Sequence, residues 1–211
     1  CHLAGDAGDA DRITAAAAAV LEAGDALVTL GGDHAVTYPV IRAIAARWPD
    51  LRIVHVDAHP DLYDDFGGDP LSHASPFARI MEQRLARRLL QIGIRADTPH
   101  LREQAERFGV RSYPPDDIDT ALMAIAALGD GPVYLSFDLD GLDPAFAPGV
   151  NHHEPGGLTV REALRIIEAL PGQVVGADIV ELAPARDLNG VTARVAARLL
   201  KEITARINRG R

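Results

Sequence analysis

The chain has 211 residues, 47% apolar and 24% charged, ordinary proportions for a globular α/β core. Thirty acids against 21 Lys and Arg give a formal charge of −9, which argues against a nucleic-acid-binding surface. No apolar run reaches the ~20 residues of a membrane span, and the single cysteine, Cys1, rules out an internal disulfide framework or a thiolate-rich metal site. A cytoplasmic setting, away from membranes and nucleic acid, is the expectation.

Strand-length apolar runs alternate with segments of helical period. Residues 11–23 read as a helix closed by Gly24. Residues 26–30 form a strand ending at Gly31 and Gly32, and 35–48 carry Val36, Val40, Ile41, Ile44 and Trp48 at helical spacing. Then come a strand at 51–56, a loop and helix over 73–87, and a strand at 89–94. A helix at 99–108, a short strand at 110–113 and a helix at 118–128 follow. The last elements are a strand at 133–137, a helix at 160–170 capped by Thr159, a strand at 174–180 and a long helix at 191–207. Near-continuous apolar strands alternating with helices predict a three-layer α/β/α fold around a mainly parallel sheet, as one domain over 1–211. The chain opens at Cys1 inside a polar Gly/Asp stretch, and a preceding segment is expected.

In open α/β sheets, ligands bind beyond the carboxyl ends of the strands. Gly31-Gly32-Asp33-His34 follows the first predicted strand, and Asp57-Ala58-His59-Pro60-Asp61 the second. Asp138-Leu139-Asp140 follows 133–137, while Asp178 and Glu181 lie within and just after 174–180. Asp57, His59 and Asp61 are spaced two apart, which places them on one face of an extended backbone; Asp138 and Asp140 repeat the pattern. With His34 they supply four carboxylates and two imidazoles. That is too many for one ion and suits two, roughly 3.5–4 Å apart, with shared carboxylates. Oxygen-rich ligation with imidazole and no thiolate favours Mn²⁺ and leaves Ni²⁺, Co²⁺ and Fe²⁺ open.

Other polar residues read as structural. His55 lies one pleat deeper, as a packed, hydrogen-bonded histidine. Asp143 precedes Pro144 and holds a turn, and Asp178 supports the site from behind. Gly31 and Gly32 fit neither a GxGxxG nor a GxxxxGK pattern; they make a tight turn that lets His34 reach the metals. His152 and His153 sit in a Pro/Gly-flanked loop, on the surface or lining the pocket.

These segments resemble the ureohydrolases, the family of arginase, agmatinase and their relatives. The matching motifs are GGDH at 31–34, DAHPD at 57–61, SHAS at 72–75, SFDLDGLDP at 136–144, PGGLT at 155–159 and VELAPARD at 180–187. FAPGVNHHEPGGLT and SHASPFARIM look most similar to plant-type arginases and their bacterial relatives. The resemblance implies an arginase-like fold, with more chain ahead of GGDH in family members, including a first strand. It implies that His34, Asp57, Asp61 and Asp138 hold one manganese ion. Asp57, His59, Asp138 and Asp140 would hold a second, with Asp57 and Asp138 bridging, so two per subunit. His73 matches a proton-shuttling histidine and Glu181 the carboxylate that pairs with a substrate guanidinium. Asp140 would orient the nucleophile and relay its proton, and Tyr63 and His153 are further substrate-binding candidates. The implied reaction cleaves a small cationic guanidino compound to urea and an amine. L-Arginine to L-ornithine is the first choice; agmatine to putrescine, or another guanidino acid, is the alternative. A homo-oligomer, trimer or hexamer, is implied as well. Animal arginases carry an Asn where Tyr63 stands, so recognition of a substrate carboxylate does not carry over.

The chemistry agrees with the residues. A guanidinium carbon is a poor electrophile, and a bound metal lowers the pKa of water from about 15.7 to roughly 7. Imidazole titrates in the range a proton shuttle needs. Two other classes compete. A deacetylase on a related fold would use one metal and a histidine pair, against the six-ligand set. A non-catalytic, metal-stabilised subunit would have lost a ligand or His73, and neither is lost.

Overall fold

The computed structural model describes residues 8–24 and 26–209; Cys1 lies outside them. The elements run α1 (Asp9–Glu22), β1 (Leu27–Leu30), α2 (Thr37–Arg47), β2 (Arg52–Val56), α3 (Pro76–Glu82), β3 (Arg88–Ile92) and α4 (Pro99–Phe108). They continue through β4 (Arg111–Tyr113), α5 (Ile118–Ala126), β5 (Pro132–Asp138), α6 (Val160–Ala169), β6 (Gln173–Val180) and α7 (Val191–Arg209). Local signals set the boundaries. Thr98 accepts from the Leu101 amide to start α4, Thr159 and Glu162 form a reciprocal capping box on α6, and Gly109 closes α4 at φ 66°.

Six strands form one sheet in the order β1-β6-β5-β2-β3-β4, and every pairing is parallel. Side chains alternate between its faces with period two. Val54, Val56, Leu90, Ile92, Leu135 and Phe137 pack on one side with Ile125 of α5, Ile166 of α6 and Ile203 of α7. Ile53, Leu89, Tyr134 and Val175 pack on the other with Leu21 of α1, Ile41 and Ile44 of α2, Phe77 of α3 and Leu101 of α4. The fold is thus the three-layer α/β/α arrangement expected, with helices in both outer layers. No helix among the described residues is long and apolar enough to cross a membrane.

The strand order creates the crevice. From β2 the chain moves outward through β3 to β4, then returns to lay β5 against the other side of β2 and β6 beyond it. This is a topological switch point, where ligands bind in open α/β sheets, and the segments leaving β2 and β5 meet there. DAHPD and DLD are the segments that leave those two strands.

Most boundaries shift from the sequence reading by a few residues, and two of the shifts have a clear structural cause. The strand expected at 89–94 ends at Ile92 because Gly93 turns to φ 98°, where a Cβ would come within 2.9 Å of the Asp57 carbonyl oxygen. The helix expected at 35–48 begins with a 3₁₀ turn, His34–Val36, whose entry is held by the Asp33 carboxylate accepting from the Ala35 amide.

Candidate metal centre

One line of polar side chains crosses the buried sheet below the crevice. In register across neighbouring strands stand Asp178, Ser136, His55 and Gln91, each fully buried. Their hydrogen bonds fix one another. Asp178 accepts from Thr37, Tyr134 and Ser136 side chains and from the Phe137 amide. Gln91 Nε2 donates to the Pro60 carbonyl at 2.6 Å and to His55 Nδ1 at 3.1 Å, while its Oε1 accepts from Ser112. With Nδ1 accepting, the His55 proton sits on Nε2 and is donated to Asp57 Oδ2 at 2.7 Å. Burial lowers the His55 pKa and keeps that ring neutral. His55 stacks on Phe77 at 3.9 Å, so it is the packed supporter expected, one layer behind the ligands.

His34 is oriented in the same way. Ser136 spends its proton on Asp178, so its oxygen accepts from His34 Nε2 at 2.9 Å. Nδ1 therefore carries a lone pair. It is buried, has no hydrogen-bond partner, and lies 3.1 Å from Asp57 Oδ2, 3.1 Å from Asp61 Oδ2 and 3.2 Å from Asp138 Oδ2. With the ring neutral and the acids ionised, four electron-rich atoms converge without a donor among them; without a cation the group takes up protons instead. A metal cation satisfies all four at once, and hydrogen-bond support behind each ligand is what metal sites use.

A second group adjoins the first. His59 Nδ1 lies 3.2 Å from Asp140 Oδ2 and 3.4 Å from Asp57 Oδ1. Asp57 thus presents Oδ2 to the His34 group and Oδ1 to the His59 group, as a shared ligand would. Asp138 joins the His34 group through Oδ2, and its Oδ1 accepts from the Asp140 amide at 2.7 Å. All six predicted ligands meet in this one place.

They do so by a different backbone route from the one the spacing suggested. Residues 57–61 form a bend, not an extended segment, and Asp61 sits at φ 51°. Asp140 lies in a 3₁₀ turn, Leu139–Gly141, seated close because a Cβ on Gly141 would be 2.9 Å from the Asp57 amide nitrogen. Glu181 is also left-handed, at φ 65°, with Oε1 accepting from the His34 amide at 2.9 Å. Left-handed backbone at buried, non-glycine residues costs of order 1–3 kcal/mol, and here it turns two carboxylates toward the cluster.

The electrostatics call for positive charge. Burial and then the neighbouring Asp57 charge raise Asp61 to about 7. Burial and Asp57 likewise raise Asp140 to about 6. Burial and the Asp140 and Asp57 charges push Asp138 well above the carboxylate range. Burial opposes charge on His34, yet Asp138, Asp57 and Asp61 raise it well above the ordinary imidazole value. Crowded acids holding protons upward is the mark of a site where cations belong.

Above the cluster opens a pocket of about 210 Å³ lined by His59, Asp61, Asp138, Asp140 and Glu181 at its base. Tyr63, Phe66, His73, Ala96, Leu101 and His152 form its wall. Rings line the mouth in series: Tyr63 against Phe66, Phe66 against His73, His73 stacked on His152 at 5.6 Å, and His152 edge-on to His59. Among the described residues, no Lys or Arg lines it. His153, named from the sequence as a substrate contact, is not in this wall. Its Nε2 lies 2.8 Å from the Pro148 carbonyl at the surface, and the adjacent His152 takes the pocket position. Adjacent residues in a loop point apart, and sequence alone did not show which one faces in. Asp143 holds its turn by accepting from the amides of Ala145, Gly156 and Gly157. Gln91 and Ser136 were missed; their signal was a polar residue at alternate positions of an otherwise apolar strand.

A buried two-lobed carboxylate–imidazole cluster at the switch point of a parallel sheet is a site that could hold metal cations in an α/β protein. Residues 3–205 match the model of the arginase family, and the chain belongs to that family. It is 52% identical over 188 residues to arginase 1, mitochondrial, of Oryza sativa subsp. indica, covering 86% of this chain and 55% of that protein. Agmatinase, mitochondrial, of Gallus gallus is 40% identical over 195 residues, 87% of this chain and 57% of that one. The solved arginase from Medicago truncatula superposes with a TM-score of 0.89 at 43% identity, covering 96% of this chain and 66% of that one. The chain spans a little over half the length of these curated relatives.

Proposed function

We propose that this protein hydrolyses a small guanidino compound to urea and an amine, with two manganese ions as cofactors. The observation that carries the reading is the buried, unpartnered His34 Nδ1 facing three carboxylate oxygens, beside a second group that shares Asp57. His34, Asp57, Asp61 and Asp138 would hold one ion, and Asp57, His59, Asp138 and Asp140 the other. When bound, the ions supply a nucleophile from water near neutral pH and stabilise developing charge.

The remaining work falls to side chains. Glu181 pairs with the guanidinium cation at the pocket base, its carboxylate held by the His34 amide. The Asp140 carboxylate takes the proton of the attacking water and passes it to the leaving amine. His73, partly exposed at the mouth between Phe66 and His152, exchanges with solvent the other proton, the one released when the water is activated. The aromatic wall excludes water from the base and packs against the substrate's methylene chain.

Arginine is the leading substrate, because the plant arginases share about half of the aligned residues. Agmatine is the competing one, favoured by a wall without Lys or Arg to meet a carboxylate and by Tyr63 within it. Self-association as a trimer or hexamer is part of the proposal. Urea release by Mn²⁺-loaded protein from arginine, agmatine and 4-guanidinobutyrate tests it. Release from arginine is the expected result. Preference for agmatine would overturn only the choice of substrate, and no urea from any of them would overturn the reaction.

A further inference from the structure

Arg95 occupies the loop just after β3 and touches none of the pocket, yet it makes more backbone hydrogen bonds than any ligand does. Its Nε and Nη2 donate to the Glu154 carbonyl at 2.9 and 2.5 Å. Nη2 also donates to the carbonyls of Asp140 at 2.8 Å and Leu142 at 3.3 Å. Nη1 donates to Gly93 at 2.9 Å and Gly141 at 3.3 Å. One half-buried guanidinium thus joins three segments: the end of β3, the 3₁₀ turn carrying Asp140, and the loop carrying His152 and Glu154. The loop's own backbone is tied to the Ala58 carbonyl, beside His59, through the amides of Arg95 and Ala96.

Everything Arg95 holds lies on one side of the cluster. Asp140 and His59 form the second group, and Glu154 Oε1 stands 4.0 Å from His59 Nε2, the ring nitrogen turned away from Asp140. At 4.0 Å this is a charge contact and not a direct hydrogen bond, and it places a carboxylate on the side of the ring where ligating histidines are commonly supported. His34, Asp61 and Asp138 receive no bond from Arg95: His34 is held by Ser136 and Glu181, Asp61 by the Phe77 amide and Asp138 by the β5 backbone. Arg95 thus braces one half of the site, and Asp57 and the Asp140 amide hydrogen bond to Asp138 join that half to the other.

We infer that Arg95 is a positioning residue for the Asp140–His59 half of the centre, fixing the Asp140 turn and the Glu154 support of His59 in one register. A planar fork is needed, since five carbonyls in several directions exceed what an ammonium can reach. Loss of the fork weakens one ion position and spares the other. This rests on the two-ion reading above.

The test uses the full chain titrated with MnCl₂, read by metal content and by electron paramagnetic resonance. Two neighbouring Mn²⁺ ions give an exchange-coupled spectrum, and one ion alone gives an isolated six-line signal. Wild-type protein should bind two ions and show coupling. Arg95→Met should keep one ion with unchanged affinity, bind the second at least ~10-fold more weakly, and show the isolated signal at low metal. Glu154→Gln should shift the same position by less. If Arg95→Met does not fold, Arg95→Lys, which keeps stem and charge, carries the same expectation in milder form. A folded variant that binds both ions as tightly as wild type, or loses both in parallel, overturns the inference alone. A wild-type chain that binds no pair of ions overturns the functional reading and this inference with it.

Discussion

Asp138 and His73 separate the two duties of the site. Asp138 ends β5 with Oδ2 toward His34, and its Oδ1 accepts from the Asp140 amide, so it lies in the first group and helps seat the Asp140 turn of the second. Asp138→Asn should therefore lower metal content and lower turnover by more than about 10²-fold; retention of both ions by elemental analysis would remove it from the ligand set. His73 contacts rings and no ligand oxygen. His73→Ala should keep the metal and slow turnover by about 10²-fold, as loss of a proton shuttle does. A full-rate variant would leave His73 as wall only. At this scale the sequence was most legible. Six ligands of two types sat in short motifs after strands, and His34, Asp57, His59, Asp61, Asp138 and Asp140 all meet in one place. His153 was not legible, because a loop's alternation has no fixed period and its neighbour His152 took the inward position.

Strands carry the support that makes those ligands work. β2, β3, β5 and β6 each place one polar residue at the same height, and the row sets the tautomers of His34 and His55. Ser136→Ala removes the acceptor for His34 Nε2 and one donor to Asp178, leaving buried groups unsatisfied at about 1–3 kcal/mol. Metal affinity at the His34 position should fall about 10–100-fold, read by calorimetric titration. Unchanged affinity would show that the row serves folding alone. Element type and order followed from periodicity, since apolar strands and helical stripes are long-range signals. The bend at 57–61 did not: its left-handed Asp61 is imposed by tertiary contacts, including its carbonyl accepting from the Phe77 amide of α3. Gly93 was hidden too, as its role is to clear the Asp57 carbonyl of a strand far away in sequence.

The whole molecule should show its metal dependence as a pH dependence. Asp61 and Asp140 are raised from 3.8 to about 7 and about 6, chiefly by burial and then by Asp57. A carboxyl raised by folding binds its proton more tightly in the folded chain. Its stabilising contribution is thus full below about pH 4 and is lost as pH rises through 6 to 7. Metal ions take the place of those protons, so they stabilise most where the protons have left. The rise in Tm on adding Mn²⁺ should grow between about pH 5.5 and pH 8. Scanning fluorimetry checks this, and a rise independent of pH would exclude these acids as ligands. The acidic balance of −9 is then in part a requirement of the centre. The most direct test of the central claim is anomalous diffraction from crystals of the protein grown with Mn²⁺. Two peaks per chain are expected, one among His34, Asp57, Asp61 and Asp138 and one among Asp57, His59, Asp138 and Asp140. A single peak, or none at these residues, would contradict it.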